Sequence, residues 1–111
     1  MSVLEPVATQ PDLDEIDLAA VLHALSDPVR LAIVCGLREC GDERRCGSFT
    51  VPVTKSTLTH HFRVLREAGI IAQRHEGTSR LNRLRTEELE QRFPGVLEAI
   101  LSAAEGTPLP T

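Results

Sequence analysis

The chain has no tryptophan or tyrosine and only three phenylalanines among its 111 residues. Binding by stacking of successive bases on aromatic side chains is therefore excluded, and with it the usual design of a single-strand nucleic-acid binder. There is no apolar run of about 18 residues, the length that a membrane-spanning helix needs. The N-terminus also lacks the basic start and apolar core of a signal peptide. We expect a cytoplasmic protein.

Motifs of catalysis are missing as well. The sequence contains no Gly-rich phosphate loop, no metal-hydrolase motif and no nucleophile elbow, so we predict that the chain is not an enzyme. Its length suits one small domain with a marginal core that dimerisation would help to stabilise. The predicted domain covers residues 12–105, between flexible tails at 1–11 and 106–111 that are rich in Pro and Thr.

What the chain does have is an amphipathic helix, predicted over residues 54–68, that suits a DNA groove. Thr54 is its predicted N-cap, and Gly69 suits the left-handed residue just past the helix end. Leu58, Phe62 and Leu65 share one face at i, i+4 and i+7. Hydroxyl, imidazole and cationic side chains that can reach base edges and phosphates lie elsewhere on this helix, at Lys55, Ser56, Thr57, Thr59, His60 and Arg63.

A β-hairpin is predicted directly after this helix. Strand-like segments at 70–74 and 80–85 flank a turn that contains Glu-Gly-Thr-Ser. Leu81 and Leu84 break strict alternation, which leaves the register of the second strand open. A recognition helix followed by a basic hairpin, the wing, is the winged helix-turn-helix arrangement, in which the wing contacts phosphates or the minor groove. The wing residues predicted to contact DNA are Arg74, His75, Thr78, Ser79 and Arg80.

The distribution of charge favours DNA although the formal net charge is −4. The segment 55–85 holds seven Lys and Arg residues against two Glu. Residues 1–29 hold six acidic residues and no Lys or Arg, and residues 86–111 hold five Glu against one Arg. Affinity follows the local field rather than the net charge. Double-stranded DNA is therefore the predicted partner, which implies association with the nucleoid.

Further helices are predicted on both sides of this unit. One covers 13–25, and its apolar residues on more than one face indicate burial against both the core and a partner subunit. The next runs from Pro28 to about Glu39 with Asp27 as N-cap. Gly41, Gly47 and Pro52 make any helix at 41–53 short or irregular.

At the C-terminus, Thr86 is predicted to cap a helix that runs to about Phe93. Pro94-Gly95 should break or restart it, and an apolar stripe follows. The predicted fold is mainly α with a β-hairpin wing, in the order α-α-(short α)-α-β-β-α.

These segments resemble the ArsR/SmtB family of bacterial transcriptional repressors over roughly residues 15–104. The resemblance rests on A-L-S-D-P-V-R-L-A-I-V (24–34), K-S-T-L-T-H-H-F-R-V-L-R-E-A-G-I-I (55–71), the wing R-H-E-G-T-S-R and the turn F-P-G-V-L. It implies a homodimer that places two recognition helices in successive major grooves of a near-palindromic operator, with half-sites about 10 bp apart, and that an effector releases. The first and last helices would form the dimer interface, through Leu18, Val21, Leu22, Val96, Leu97, Ile100 and Leu101.

The effector is left open. Many members of the family sense metals through a Cys-x-Cys pair or through ligands in the last helix, and this chain has neither. No cofactor or metal site is therefore predicted, and metal sensing stays the weaker alternative. His23 and His61 are predicted to be packing or interface residues rather than metal ligands.

The cysteines give a second alternative. Cys35 is predicted to be a small core residue. Cys40 and Cys46 are predicted to lie in a loop with Arg44 and Arg45 between them, whose charge would favour a reactive thiolate. A thiol or redox switch at Cys40 and Cys46 is thus one alternative. The alternative from another class of function is a winged helix that contacts proteins without binding DNA.

Overall fold

The structure is a computed structural model that describes residues 10–40, 44–45 and 53–105. The described chain is mainly helical with an antiparallel hairpin, as predicted. Its elements are α1 (Leu18–Ala24), α2 (Pro28–Cys40), β1 (Arg44–Arg45), α3 (Lys55–Glu67), β2 (Ile71–Glu76), β3 (Ser79–Leu84), α4 (Thr86–Arg92) and α5 (Val96–Glu105).

The predicted helix at 13–25 is wrong as a single element. Leu13–Glu15 form a 3-10 turn, and Ile16 then adopts an extended backbone. The reason is that Ile16 is only 1% exposed and reaches the core from this extended position. Asp17 begins α1 anew, because its carboxylate accepts a hydrogen bond from the backbone N–H of Ala20 at 3.0 Å.

The predicted tail at 1–11 is wrong at its last two residues. The side-chain amide of Gln10 donates to the backbone carbonyl of Gln73 at 2.8 Å and accepts from the N–H of Gln73 at 3.0 Å. The carbonyl of Pro11 accepts from Nη1 of Arg85 at 2.8 Å. The docked segment therefore begins at Gln10, and the rest of both predicted tails lies outside the described residues.

The start of α2 confirms the predicted cap. Oδ1 of Asp27 accepts from the N–H groups of Val29 and Arg30 at 2.8 and 3.2 Å. The helix extends to Cys40, so this residue ends a helix rather than lying in a loop as predicted.

The segment between α2 and α3 contains a strand where a short helix was predicted. Arg44–Arg45 form β1, which pairs antiparallel with β3 at Asn82 and Leu81. This pairing satisfies backbone groups of β3 at Leu81 and Asn82 on the side away from β2, which a helix could not do. The other residues of this segment, 41–43 and 46–52, lie outside the described residues, so a short helix elsewhere in the segment stays a prediction.

The sheet has the order β1-β3-β2, and its register settles the position of the two leucines of β3. Leu84 pairs with Ile71 and belongs to the core, whereas Leu81 pairs with Arg74. Because side chains alternate across a strand, Leu81 and Leu84 point to opposite faces. Apolar and polar residues do not alternate strictly in β3 because a polar residue, Asn82, occupies an inward position between the two leucines.

The two C-terminal helices meet at a glycine. Gly95 has a φ of 81°, which confirms the predicted break between α4 and α5. Thr86 is the first residue of α4 rather than its cap, because Arg85 holds the cap position without a side-chain bond. The core that α1, α2, α3 and α5 share with the sheet includes Ile33, Leu37, Phe62, Leu65, Ile71 and Leu101.

Among the described residues, no single helix has the length and apolar character to cross a membrane. Only α1 and α2 together meet that test, and they are bent by 100°.

Candidate nucleic-acid interface

The N-terminus of α3 is built from hydroxyl groups. Oγ1 of Thr54 accepts from the backbone N–H of Thr57 at 3.3 Å, which confirms the predicted cap. Thr54 in turn donates its hydroxyl to Oγ1 of Thr57 at 2.9 Å. This arrangement leaves the hydroxyl proton of Thr57 free to donate outward, beside the first-turn N–H groups that favour an anion.

The outward side of α3 carries every predicted recognition residue in an exposed position: Lys55, Ser56, Thr57, Thr59, His60 and Arg63. Nη2 of Arg63 lies 3.3 Å from Nδ1 of His60, one turn earlier on the helix. The hydroxyl of Thr59 donates to the carbonyl of Lys55 at 3.1 Å, so its outer lone pairs can accept. The face therefore combines a donor fork with hydroxyls that both donate and accept, the chemistry that base edges require.

A close backbone approach fixes the end of α3. Gly69 has a φ of 85°, as predicted for the residue past the helix. A Cβ placed there would lie 2.6 Å from Cγ1 of Ile16. Glycine is thus required twice at this point, for its backbone conformation and for the space that Ile16 occupies.

A buried arginine that sequence reasoning missed braces the back of α3. Arg30 is 8% exposed and donates from Nε to the carbonyl of Ala24 at 2.6 Å. Its Nη1 lies 3.2 Å from Nδ1 of His61, which is 7% exposed. His61 therefore packs, as predicted, and joins α3 to the end of α1 through this arginine.

The charge state of His61 follows from these surroundings. Burial lowers the pKa of His61, and the cation of Arg30 lowers it further, while Asp27 acts in the opposite direction. An unprotonated Nδ1 can accept from Arg30, whereas a protonated ring would place two cations in contact.

The predicted wing residues do not all face the same way. His75 and Arg80 pair across the hairpin and lie on the same face as Gln73 and Asn82. Arg74 lies on the other face, where Nη2 is 3.4 Å from Oε2 of Glu76. His75, Thr78 and Arg80 are exposed, as Arg74 is, and Ser79 is half-buried.

The cations of segment 55–85 divide into two groups. Five have exposed side chains: Lys55, Arg63, Arg74, Arg80 and Arg83. The other two, Arg66 and Arg85, are each 6% exposed. Arg85 is bound to Glu88 at 2.6 Å, and this hydrogen bond lowers the pKa of the Glu88 carboxyl. The positive footprint is therefore smaller than the count of residues predicts.

The residues predicted for a dimer interface also divide. Leu18 and Leu22 are 40% and 47% exposed, and Val96 and Ile100 are half-buried. The side chains of three others belong to the core of their own chain, and a role for them in a dimer interface stays a prediction: Val21, Leu97 and Leu101. Among the described residues, the large apolar side chains that are fully exposed are both on α1.

The described residues offer little chemistry for a sensor. Among them, no group of three His, Cys, Asp or Glu side chains is arranged to hold a metal ion. Burial raises the pKa of the half-buried Cys35 thiol, which disfavours a reactive thiolate there. The side chains of Cys40 and Cys46 lie outside the description, so the predicted redox pair stays a prediction.

Comparisons with known proteins agree with this geometry. The family model for bacterial regulatory proteins of the arsR family matches residues 27–73. YceK of Bacillus subtilis (strain 168), an uncharacterized HTH-type transcriptional regulator, is 35% identical over 94 residues, 83% of this chain and 94% of YceK. An HTH-type regulator of Methanocaldococcus jannaschii is 36% identical over 61 residues, 54% of this chain and 68% of its own. The crystal structure of the transcriptional repressor BigR from Xylella fastidiosa is similar with a TM-score of 0.62 at 26% identity, over 82% of this chain and 86% of that one.

Proposed function

The chain belongs to the ArsR family of DNA-binding transcriptional regulators, and from that premise we propose that it is a homodimeric repressor. It acts in the cytoplasm, binds a near-palindromic operator through two copies of α3, and leaves the DNA when an effector binds. The name of BigR, a transcriptional repressor, supports repression rather than activation. The relatives carry the names of regulators, in keeping with a role other than catalysis.

One observation carries the proposal: the six predicted recognition residues are exposed on a capped helix whose back is packed in the core. A helix that served only to fill a surface would not need a donor fork and hydroxyls on its free side. The wing adds exposed cations beyond the end of this helix, at Arg74, Arg80 and Arg83. Together they supply base contacts from the helix and phosphate contacts from the wing.

A mobility shift with the DNA upstream of the chain's own gene tests this function. We expect a shift that unrelated competitor DNA does not remove, and that weakens steeply between a low and a high salt concentration. Arg92→Gln, which removes an exposed charge on α4 outside the predicted DNA-contacting residues, should leave the salt dependence unchanged. No shift at any salt concentration would contradict DNA binding and would favour a winged helix that contacts proteins.

Dimerisation has its own test at α1. Leu22 is 47% exposed, and we propose that it is covered by a second copy of the chain. Leu22→Glu should therefore yield monomers in light scattering and weaken operator binding. Ala19→Glu, which adds the same charge at an exposed position of the same helix, serves as the matched control and should leave the dimer intact. A dimer that survives Leu22→Glu would contradict an interface on α1.

A further inference from the structure

The end of α3 is tied to the base of the wing by three buried polar side chains, which we call the buried triad. Arg66 donates from Nη1 to Oε1 of Gln73 at 2.9 Å, and Gln73 donates from Nε2 to Oδ1 of Asn82 at 2.6 Å. The three residues are 6%, 3% and 0% exposed. Hydrogen bonds in such low-dielectric surroundings are strong and directional, so they restrict geometry more than apolar contacts do.

Arg66 sets the direction of this chain of bonds, because a guanidinium can only donate. Its N–H must meet the oxygen of the Gln73 amide, which leaves the amide NH2 for Asn82. The backbone of Gln73 is held from its other side by Gln10, at 2.8 and 3.0 Å. Gln73 is therefore fixed through its side chain by α3 and through its backbone by the N-terminal segment.

The buried triad lies where the wing leaves the body of the domain. Gln73 is the last buried residue of β2, and residues 74–78 are all exposed. One step further along the same face, His75 pairs with Arg80. Burial lowers the pKa of Arg66, and the nearby cations of Arg80 and Arg63 add to this effect. Arg66 lies one turn after Arg63 on α3, and its partner Gln73 lies on the same sheet face as Arg80 of the wing.

Stability alone gives no reason for an arginine at this place. Its charge is buried. Among the described residues its nearest carboxylate oxygen, on Glu67, is 3.9 Å away, and its Nε–H finds no acceptor. Apolar side chains of similar size at all three positions of the triad would avoid these costs. A requirement for orientation does explain it, since Arg66 can only donate and so fixes the orientation of the Gln73 amide, which in turn holds Asn82.

We propose that Arg66 is a positioning residue for DNA binding: through Gln73 and Asn82 it sets the wing relative to α3, so that Arg80 and Arg63 reach the same duplex. This inference rests on the proposed function, because it concerns the alignment of two DNA-contacting surfaces. Arg66 itself touches neither base nor phosphate.

A double-mutant cycle with Arg66→Met and Arg80→Ala tests the proposal. Fluorescence anisotropy would measure affinity for the upstream duplex at several salt concentrations. In the wild type, Arg80→Ala should weaken binding and reduce the slope of log K against log salt by about one. In the Arg66→Met background the slope should already be reduced, and Arg80→Ala should have no further effect. An equal loss from Arg80→Ala in both backgrounds would overturn the proposal.

Arg85→Met is the matched control. Arg85 is as buried as Arg66, at 6% exposed, but it binds Glu88 rather than any residue of α3. We expect this variant to lose stability and to keep the full effect of Arg80→Ala. If Arg85→Met also removes the effect of Arg80→Ala, the position of the wing depends on the overall stability of the domain rather than on Arg66. The proposal then fails. Arg66→Lys, which keeps a donor, should restore part of the coupling.

A measurement without DNA separates this proposal from the proposed function. In the free protein, 15N relaxation should give lower order parameters for residues 74–80 in Arg66→Met than in the wild type or in Arg85→Met. If the wild type binds no duplex, the proposed function fails, and the relaxation data still decide whether Arg66 holds the wing. Unchanged order parameters would contradict the proposal. Should Arg66→Met not fold, Gln73→Met carries the same cycle by interrupting the triad at its middle.

Discussion

The recognition helix and the wing are held to the body by different kinds of contact. The back of α3 is apolar, since Phe62 and Leu65 are 2% and 0% exposed and lie in the core. The base of the wing is polar, because Gln73 and Asn82 occupy inward positions of the hairpin. Apolar packing fixes a helix by shape over a wide area, whereas hydrogen bonds fix a hairpin by direction at a few atoms.

This difference suits two tasks. A helix that reads base edges must hold its side chains within a fraction of an ångström, which a rigid packed element provides. A hairpin that contacts phosphates supplies charge, and its contribution depends on where it points. Damage to the back of α3 should therefore unfold the domain, while damage at the base of the wing should change binding first.

The largest effect is expected where α3 packs most tightly. Phe62→Ala should lower the free energy of unfolding by about 3–5 kcal/mol, because it removes a buried ring and leaves a cavity. Urea unfolding followed by circular dichroism measures this loss. His60→Ala, two residues earlier and exposed, should change stability by no more than about 0.5 kcal/mol. Similar losses in the two variants would show that apolar packing does not hold α3.

Alanine substitutions at two glycines allow the end of α3 to be compared with the turn of the wing. Gly69 and Gly77 have φ values of 85° and 62°, so alanine at either position should cost about 1–2 kcal/mol of backbone energy. At Gly69 the added Cβ would also meet Cγ1 of Ile16 at 2.6 Å, whereas at Gly77 it meets open space. Overpacking should add about 1–3 kcal/mol to the cost of Gly69→Ala alone. Equal midpoints of thermal unfolding in the two variants would contradict this interpretation of the Ile16 contact.

The position of α3 and its buried face could be predicted from the sequence because the residues that define them act locally. Thr54 and Gly69 act on the residues beside them, and the spacing of Leu58, Phe62 and Leu65 defines one face whatever the rest of the chain does. The same holds for Asp27 at the start of α2. Caps and periodicity need no knowledge of distant contacts.

The base of the wing was not predictable in this way. Gln10 and Gln73 are 63 positions apart, and a glutamine within a basic strand is expected to be exposed. Its burial depends on the partner that α3 provides in Arg66. The burial of Leu97 and Leu101 in the core of their own chain was not predictable for a related reason, since an apolar stripe does not reveal whether it meets its own core or a second chain.

Substitutions in α3 and in the wing should affect DNA binding in different ways, and not only to different extents. Arg63→Ala should cost about 1–3 kcal/mol of binding free energy and relax specificity at one base position, because its fork can read a base. Arg80→Ala should weaken binding to all sequences evenly. Affinities for a set of single-base operator variants measure both. The same even loss for Arg63→Ala and Arg80→Ala would show that Arg63 contacts only phosphate.

The smallest expected effect is a pH dependence that originates behind α3. Since burial and Arg30 lower the pKa of His61 in the folded state, the unfolded chain binds the proton more readily. The contribution of neutral His61 to stability is therefore complete above its unfolded pKa of about 6.5 and is lost as the pH falls through the lower folded value. One such group changes the free energy of unfolding by at most about 1.4 kcal/mol per pH unit.

Urea unfolding between pH 7 and pH 5 measures this slope. The contribution of Glu88 does not interfere in this range, because its lowered pKa means that its stabilising effect is lost only at more acidic pH. We expect the free energy of unfolding of the wild type to decrease as the pH is lowered from 7 to 5. In His61→Gln it should decrease less. His75→Gln, which changes an exposed histidine of the wing, should keep the wild-type slope. The contrast would place the pH-sensitive contact behind the recognition helix. A slope that His61→Gln leaves intact would mean that protonation of His61 does not disturb the brace that Arg30 provides.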